Sequence, residues 1–221
     1  LEEAQVNPLA LVDAYADGAR ARGVAIRTRC SVVGLDVQGD RVHGVCTEGG
    51  NVACGAVVLA TGAWTSELLA DLGVSLPIHI IKGQAAITEP VMPMLRSFVG
   101  LAFSRRVELE RRIAQGDDRV FADGPEGAEG VVSPGITQTR HGSLMLTQVS
   151  QFLRRPDSRT IEGGLPRLAA ATLQYFPALR RVSVVRTWAA PVPFTLDHEP
   201  ILGPVEGLDN LFLAAGFKSA L

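Results

Sequence analysis

Five consecutive apolar residues, Ala56-Val57-Val58-Leu59-Ala60, run directly into Thr61-Gly62, and this run constrains the fold more than any other feature of the chain. A strand with one wet face alternates apolar and polar residues. An unbroken apolar run closed by a glycine bend predicts a strand buried on both faces, as in a parallel sheet flanked by helices. A helix over Thr65 to Leu72 is predicted to follow. Near the other end Leu211-Phe212-Leu213-Ala214-Ala215 repeats the pattern and enters Gly216, so the two bends are expected to face one crevice.

The remaining elements are of a different kind. Asn7 as N-cap, Pro8 at the first helical position and Gly23 as terminator predict a helix over residues 7 to 23. Its face of Leu9, Val12, Tyr15, Ala16 and Ala19 should dock on something apolar. Short runs at Val24 to Arg27, Val32 to Val37, Arg41 to Thr47 and Asn51 to Ala53, punctuated by Gly39-Asp40 and Gly49-Gly50, predict an antiparallel meander. A long strand is predicted over 76 to 88, ending at Glu89-Pro90, where a second lobe begins. Residues 99 to 143 predict a short helix or strand plus a mobile excursion, with Arg105, Arg106, Arg111 and Arg112 on a solvated face. Strands at 144 to 152, Val182 to Ala190 and Leu211 to Ala215, and a helix within Thr160 to Leu179 stopped by Pro177, complete the pattern. The helix should bury Leu168, Ala169, Thr172, Leu173 and Phe176.

Composition removes several function classes. With 21 Lys+Arg against 23 Asp+Glu the chain lacks the basic excess of a nucleic-acid binder. No apolar run approaches the roughly 20 residues needed to span a bilayer, and the first residues have no signal-peptide order. Cys30, Cys46 and Cys54 form no CxxC and leave an odd thiol, which points to a reducing cytoplasm and to no metal or redox role. His43, His79, His141 and His198 lack metal-ligand spacing, so no metal is expected. His79 is expected as a partly buried histidine with a hydrogen bond. No G-x-G-x-x-G and no G-x-x-x-x-G-K-[ST] occurs, so the phosphate cradle of a nucleotide enzyme is not in these residues. Together with the stop just after a strand-and-glycine bend, that suggests a fragment.

The order VNPLALVDAYADGARARG, VVLATGAW, IKGQAAITEP, RTWAAPVPFTLDHEPILGP and LFLAAGFKS resembles the FAD-dependent D-amino-acid oxidase family over nearly the whole chain. The likeness is strongest to its glycine oxidase, sarcosine oxidase β-subunit and D-hydroxyproline dehydrogenase branch. The resemblance implies a fold of α/β and α+β character: a partial FAD-binding Rossmann-like lobe with a β-meander over 1–75, a mixed-sheet substrate-binding lobe over 76–185, and a return to the FAD lobe over 186–221. It implies oxidation of the C–N bond of an amino acid or secondary amine by hydride transfer to flavin N5. The family's dinucleotide fingerprint precedes the matched region, so this chain alone is expected to bind FAD weakly or not at all.

The same resemblance assigns cofactor contacts. Ala60, Thr61 and Gly62 would lie along the FAD pyrophosphate and ribose, although the local sequence equally describes a plain strand-to-helix turn. Val32 would offer its main chain to the adenine. Trp64 would pack under the cofactor or in the core. Gly216, Phe217, Lys218 and Ser219 would face the flavin N1/C2=O edge, where N–H groups and a cation favour the reduced ring. Trp188 reads as a sheet residue before a substrate wall, and His198 occupies a turn where the family usually has glycine. No catalytic residue is named, because hydride transfer needs orientation and exclusion of water more than a side-chain base.

One position departs from the pattern. Where the glycine-oxidase type carries an arginine that clamps the substrate carboxylate, this chain has Val192. Either it follows the sarcosine oxidase β-subunit pattern, or the anchor comes from elsewhere, or the substrate is not a simple α-amino acid. A reading from another class is a noncatalytic assembly module whose exposed sheet edge pairs with a second copy or another chain.

Overall fold

The computed structural model describes residues 6–101, 105–124 and 126–217. In chain order these form α1 (Pro8–Arg20), β1 (Val32–Gln38), β2 (Arg41–Thr47), β3 (Gly50–Ala53), β4 (Val57–Leu59), α2 (Thr65–Ala70), β5 (His79–Pro90), β6 (Val99–Gly100), α3 (Arg105–Ala114), β7 (Val131–Gln138), β8 (Ser143–Leu153), α4 (Gly164–Tyr175), β9 (Val184–Phe194), β10 (Ile201–Pro204) and β11 (Leu211–Ala215).

Three sheets organise them. The meander β1-β2-β3 is antiparallel, as its glycine turns predict, but Val24 to Arg27 is not a strand. A small sheet of order β10-β11-β4 pairs β11 parallel with β4 and antiparallel with β10, a strand the sequence reading missed. The large sheet, β6-β7-β8-β5-β9, is antiparallel at every junction, so the mixed pairing expected of it falls in the small sheet instead. Strand β9 pairs with β5 of the large sheet as far as Phe194.

Both faces of the large sheet are covered, over different stretches. On one face Ala86, Ile136, Leu144, Leu146 and Val149 pack with Ile161, Leu168 of α4 and Leu179. The other face carries Ile81, Phe152, Phe194 and the half-buried Val192, covered by Leu109 and Ile113 of α3 with Val120 and Phe121. The segment expected to be a mobile excursion is thus a packed cap. Arg112 clamps both Asp117 and Glu126, at 2.6 and 2.7 Å, and Glu110 is buried against Arg106, so Arg106 and Arg112 pin the cap, while Arg105 and Arg111 are exposed as expected of a solvated face. The guanidinium of Arg112 also holds the Glu126 carboxyl below its usual range.

The small sheet corrects two expectations. Val57 and Leu59 are buried with Leu69, Leu211 and Leu213, but Val58 between them is 62% exposed, so the apolar run is covered on one face only. Phe212, paired with Val58, and Leu202 share the open side. Likewise α1 forms with Asn7 Oδ1 accepting from the N–H groups of Leu9 and Ala10, yet it buries no residue, and Tyr15 is 74% exposed. In both cases the apolar pattern is present and no described element lies against it.

Candidate functional site

Parallel pairing of β4 with β11 brings the two glycine bends together. Leu59 and Leu213 are register partners, so Ala60-Thr61-Gly62 and Gly216-Phe217 leave the carboxyl ends of adjacent strands on the same edge of the sheet. In open α/β sheets ligands bind outside that edge. Both glycines hold left-handed φ, +56° at Gly62 and +75° at Gly216. A methyl group built on Gly62 meets no atom within 4 Å, so its backbone faces open space. At Gly216 the same methyl would lie 3.1 Å from Thr195 Cγ2, directly after β9.

The first bend is held by its own hydroxyls. Thr65 Oγ1 donates to the Gly62 carbonyl at 2.9 Å and lies 3.0 Å from Thr61 Oγ1. A 3-10 turn over Gly62–Trp64 follows and rests against β9, where Ala63 packs with Ile80 and Leu153 of the large sheet. Trp64, at the end of that turn, is 48% exposed, which removes core burial as its role. Ser66 Oγ, in the first turn of α2, is buried without a hydrogen-bond partner among the described residues. Val32 opens β1, an edge strand of the meander, and is exposed, with a bulge between it and Gly34. Lys218 and Ser219 lie outside the described residues.

The second bend abuts a tight turn. Thr195 Oγ1 donates to the Glu199 carbonyl at 2.7 Å, and the Glu199 N–H donates to the Asp197 carboxylate, holding that carboxyl below its ordinary range. His198, between them, has φ +64°. A glycine adopts that conformation without strain.

Beside the bends the large sheet ends in His79 and Phe194, register partners whose rings lie 5.6 Å apart. His79 therefore takes an aromatic neighbour where a hydrogen bond was expected, and burial lowers its pKa. Farther along the same face, beyond the α3 cap, Ser150, Gly83 and Ala190 form one cross-strand row, with Ala85 and Trp188 next to it. Trp188 is half-buried there. Val192 is packed among the apolar residues under the cap. Lys82, on the opposite face, is buried and paired with Asp157 at 3.0 Å.

Two backbone bends with open space at Gly62, an exposed indole and an exposed edge strand could follow a dinucleotide, while a glycine-rich phosphate turn is absent from the sequence. No helix among the described residues is long and apolar enough to cross a membrane.

Comparison with known proteins agrees with this geometry. The family of FAD dependent oxidoreductases termed DAO matches residues 1–220. Hydrogen cyanide synthase subunit HcnC of Pseudomonas protegens is 31% identical over 214 residues, 96% of this chain and 44% of that protein. Glycine oxidase of Pseudomonas putida is 30% identical over 193 residues, 87% of this chain and 44% of that protein. Among solved structures, L-proline dehydrogenase from P. horikoshii superposes with a TM-score of 0.71 at 25% identity, covering 95% of this chain and 50% of that one. The chain thus spans about half the length or less of the relatives it matches. A glycine-bend pair on adjacent parallel strands, an antiparallel sheet beside it and a match across 1–220 have one explanation: the chain belongs to the DAO family of FAD-dependent oxidoreductases.

Proposed function

We propose that this chain supplies the substrate-facing sheet and the carboxyl-end half of the flavin crevice of an enzyme that oxidises the C–N bond of an amino acid or secondary amine. The observation that carries the reading is the parallel register of β4 and β11, which sets both glycine bends on one edge of the small sheet, with open space at Gly62. Bound FAD would supply the hydride acceptor. Ala60, Thr61 and Gly62 would approach the nucleotide through their backbone, Val32 would meet its base along the free edge of β1, and Trp64 would pack against it. Gly216 and Phe217 would present N–H groups to the ring edge that gains negative charge, with Lys218 and Ser219 continuing that segment. The α3 cap and the His79–Phe194 pair would keep water from one side of the reacting centre. The residues 1–75, 76–185 and 186–221 would then serve as flavin, substrate and flavin segments.

The test is anaerobic addition of primary and secondary amines to the FAD-loaded holoenzyme that contains this chain. Bleaching of the oxidised flavin supports the reading. A flavin that dithionite bleaches and no amine does would sink it.

A second reading rests on the open face of Val58, Phe212 and Leu202. That face would be covered by another chain or a second copy, and the relative from Pseudomonas protegens is itself named a subunit. Light scattering after size exclusion tests it, and a monodisperse monomer at high concentration speaks against it.

A further inference from the structure

We infer that Gln148 is the residue that receives the substrate's amine N–H, and that it selects amines with at least one N–H over fully alkylated ones. The inference rests on the proposed amine oxidation and deepens it.

Three observations converge on this side chain. The first is a β-bulge. Gln84 pairs with Val149 and Ala86 with Leu146, so Thr147 and Gln148 together oppose Ala85. A bulge re-aims the side chains it carries, and such bulges recur beside active sites. The second is the direction of that aim. A methyl built on Gly83 would lie 3.7 to 3.8 Å from Nε2, Cδ and Oε1 of Gln148, so the carboxamide lies over the glycine, in the cross-strand row of Ser150, Gly83 and Ala190. A larger residue at 83 would fill that space. The third is how the amide is held. Gln148 Nε2 donates to Ser150 Oγ at 2.6 Å, which fixes the plane of the amide, and among the described residues Oε1 accepts no hydrogen bond.

An open acceptor fixed over a floor of small residues recognises a donor. A carboxylate is an acceptor itself, and the single amide N–H left on Gln148 is a weak anchor for it beside the charge-assisted bidentate clamp an arginine provides. The neighbouring row toward α3 offers no cation, because Val192, Ile81 and Phe152 are packed there, and Arg186, on the same face opposite Ile87, lies two rows away from Gly83. Along the central strands the nearest lysine, Lys82, lies on the other face in its pair with Asp157. The neutral amine that must give up hydride from its adjacent carbon supplies the matching donor. A secondary amine has one N–H and a tertiary amine has none.

The experiment uses the FAD-loaded holoenzyme that contains this chain and rapid anaerobic mixing with matched pairs of N-methyl and N,N-dimethyl amines, reading the apparent Kd from flavin bleaching. One net hydrogen bond predicts about fivefold tighter binding of the N–H member. Gln148→Met, close in volume but without the acceptor, should bring that ratio to about one while flavin content stays near wild type. If no amine bleaches the flavin, the proposed reaction itself fails. If amines bleach it and the wild-type ratio is one, or the ratio survives in Gln148→Met, the role of Gln148 is overturned. The wild-type pair decides the matter even where the variant fails to fold.

Discussion

The large sheet and the small sheet are built from equally apolar strands, yet they differ in how much of that apolar surface meets a partner. On the large sheet α3 and α4 each cover one face, and the side chains beneath them are buried. On the small sheet one face is packed against α2 and the meander while Val58, Phe212 and Leu202 stand open, and α1 buries nothing. The difference teaches that hydrophobic pattern reports a demand for burial, whereas the covering element has to come from somewhere, and for the large sheet it comes from within these residues. Stability should therefore reside in the large sheet, and the exposed part should tolerate change.

The sharpest way to break that comparison is a pair of leucines. Leu168 of α4 is fully buried against the large sheet, and Leu9 of α1 is 75% exposed. Leu168→Ala should cost about 2 to 5 kcal/mol through lost transfer energy and the cavity left behind. Leu9→Ala should stay within about 0.5 kcal/mol. Urea denaturation of the two variants measures both. Equal effects would mean that α1 is docked in solution on a surface that the structure leaves bare.

The next effect comes from Lys82 and Asp157, which tie the start of β5 to the segment after β8. The Asp157 carboxylate accepts from the backbone N–H and the guanidinium of Arg159 and from the Lys82 ammonium, at 3.0, 2.9 and 3.0 Å. The Arg159 guanidinium first, then its N–H and the Lys82 ammonium, hold the carboxyl well below the usual carboxylate range. A folded pKa below the unfolded one gives stabilisation that is complete above about pH 4 and is lost as pH falls toward the folded value. Asp157→Ala strands an ammonium whose side chain is 6% exposed, at a cost of about 2 to 3 kcal/mol near neutral pH. It should also flatten the acid limb of the stability profile. An unchanged acid limb would remove this carboxylate from the account.

How much of this was legible in the sequence follows the same division. Local signals were readable: the N-cap at Asn7, the glycine turns of the meander, and the bends at Gly62 and Gly216 all stand where residue chemistry put them. Those signals depend on one or two residues and need no partner. What failed was burial and pairing over distance. Val58 looks identical in sequence whether or not a neighbour covers it, and Arg112 looks solvated, like the exposed Arg105 and Arg111, until Asp117 and Glu126 fold back on it. Strand β10 is four residues, Ile201–Pro204, too short for periodicity, and forms because β11 offers an edge. Gln148 carried no signal either, since a bulge is a property of two strands in register and neither strand encodes it alone.

A smaller effect probes the turn that joins the two regions. His198 holds φ +64° in an exposed position, a conformation that costs a residue with a Cβ about 1 kcal/mol. His198→Gly relieves that strain but adds freedom to the unfolded chain, so a net gain of about 0.5 kcal/mol or less is expected in thermal unfolding. A loss larger than that would show that the imidazole makes a stabilising contact in the turn.

The smallest expected effect on global stability comes from the cap of α1. Asn7→Ala removes the side chain that accepts from Leu9 and Ala10, an interaction worth about 1 kcal/mol to a helix. In a helix packed on a core that loss would pass into the unfolding free energy, because melting the helix would also expose the core. A helix that buries nothing can melt alone, so the loss should appear only locally. Asn7→Ala should leave the urea midpoint where it was, and faster amide exchange should be confined to the first turns of α1. A shift of the midpoint by the full value of the cap would mean that α1 unfolds with the large sheet, and the contrast between a self-covered region and an uncovered one would no longer hold.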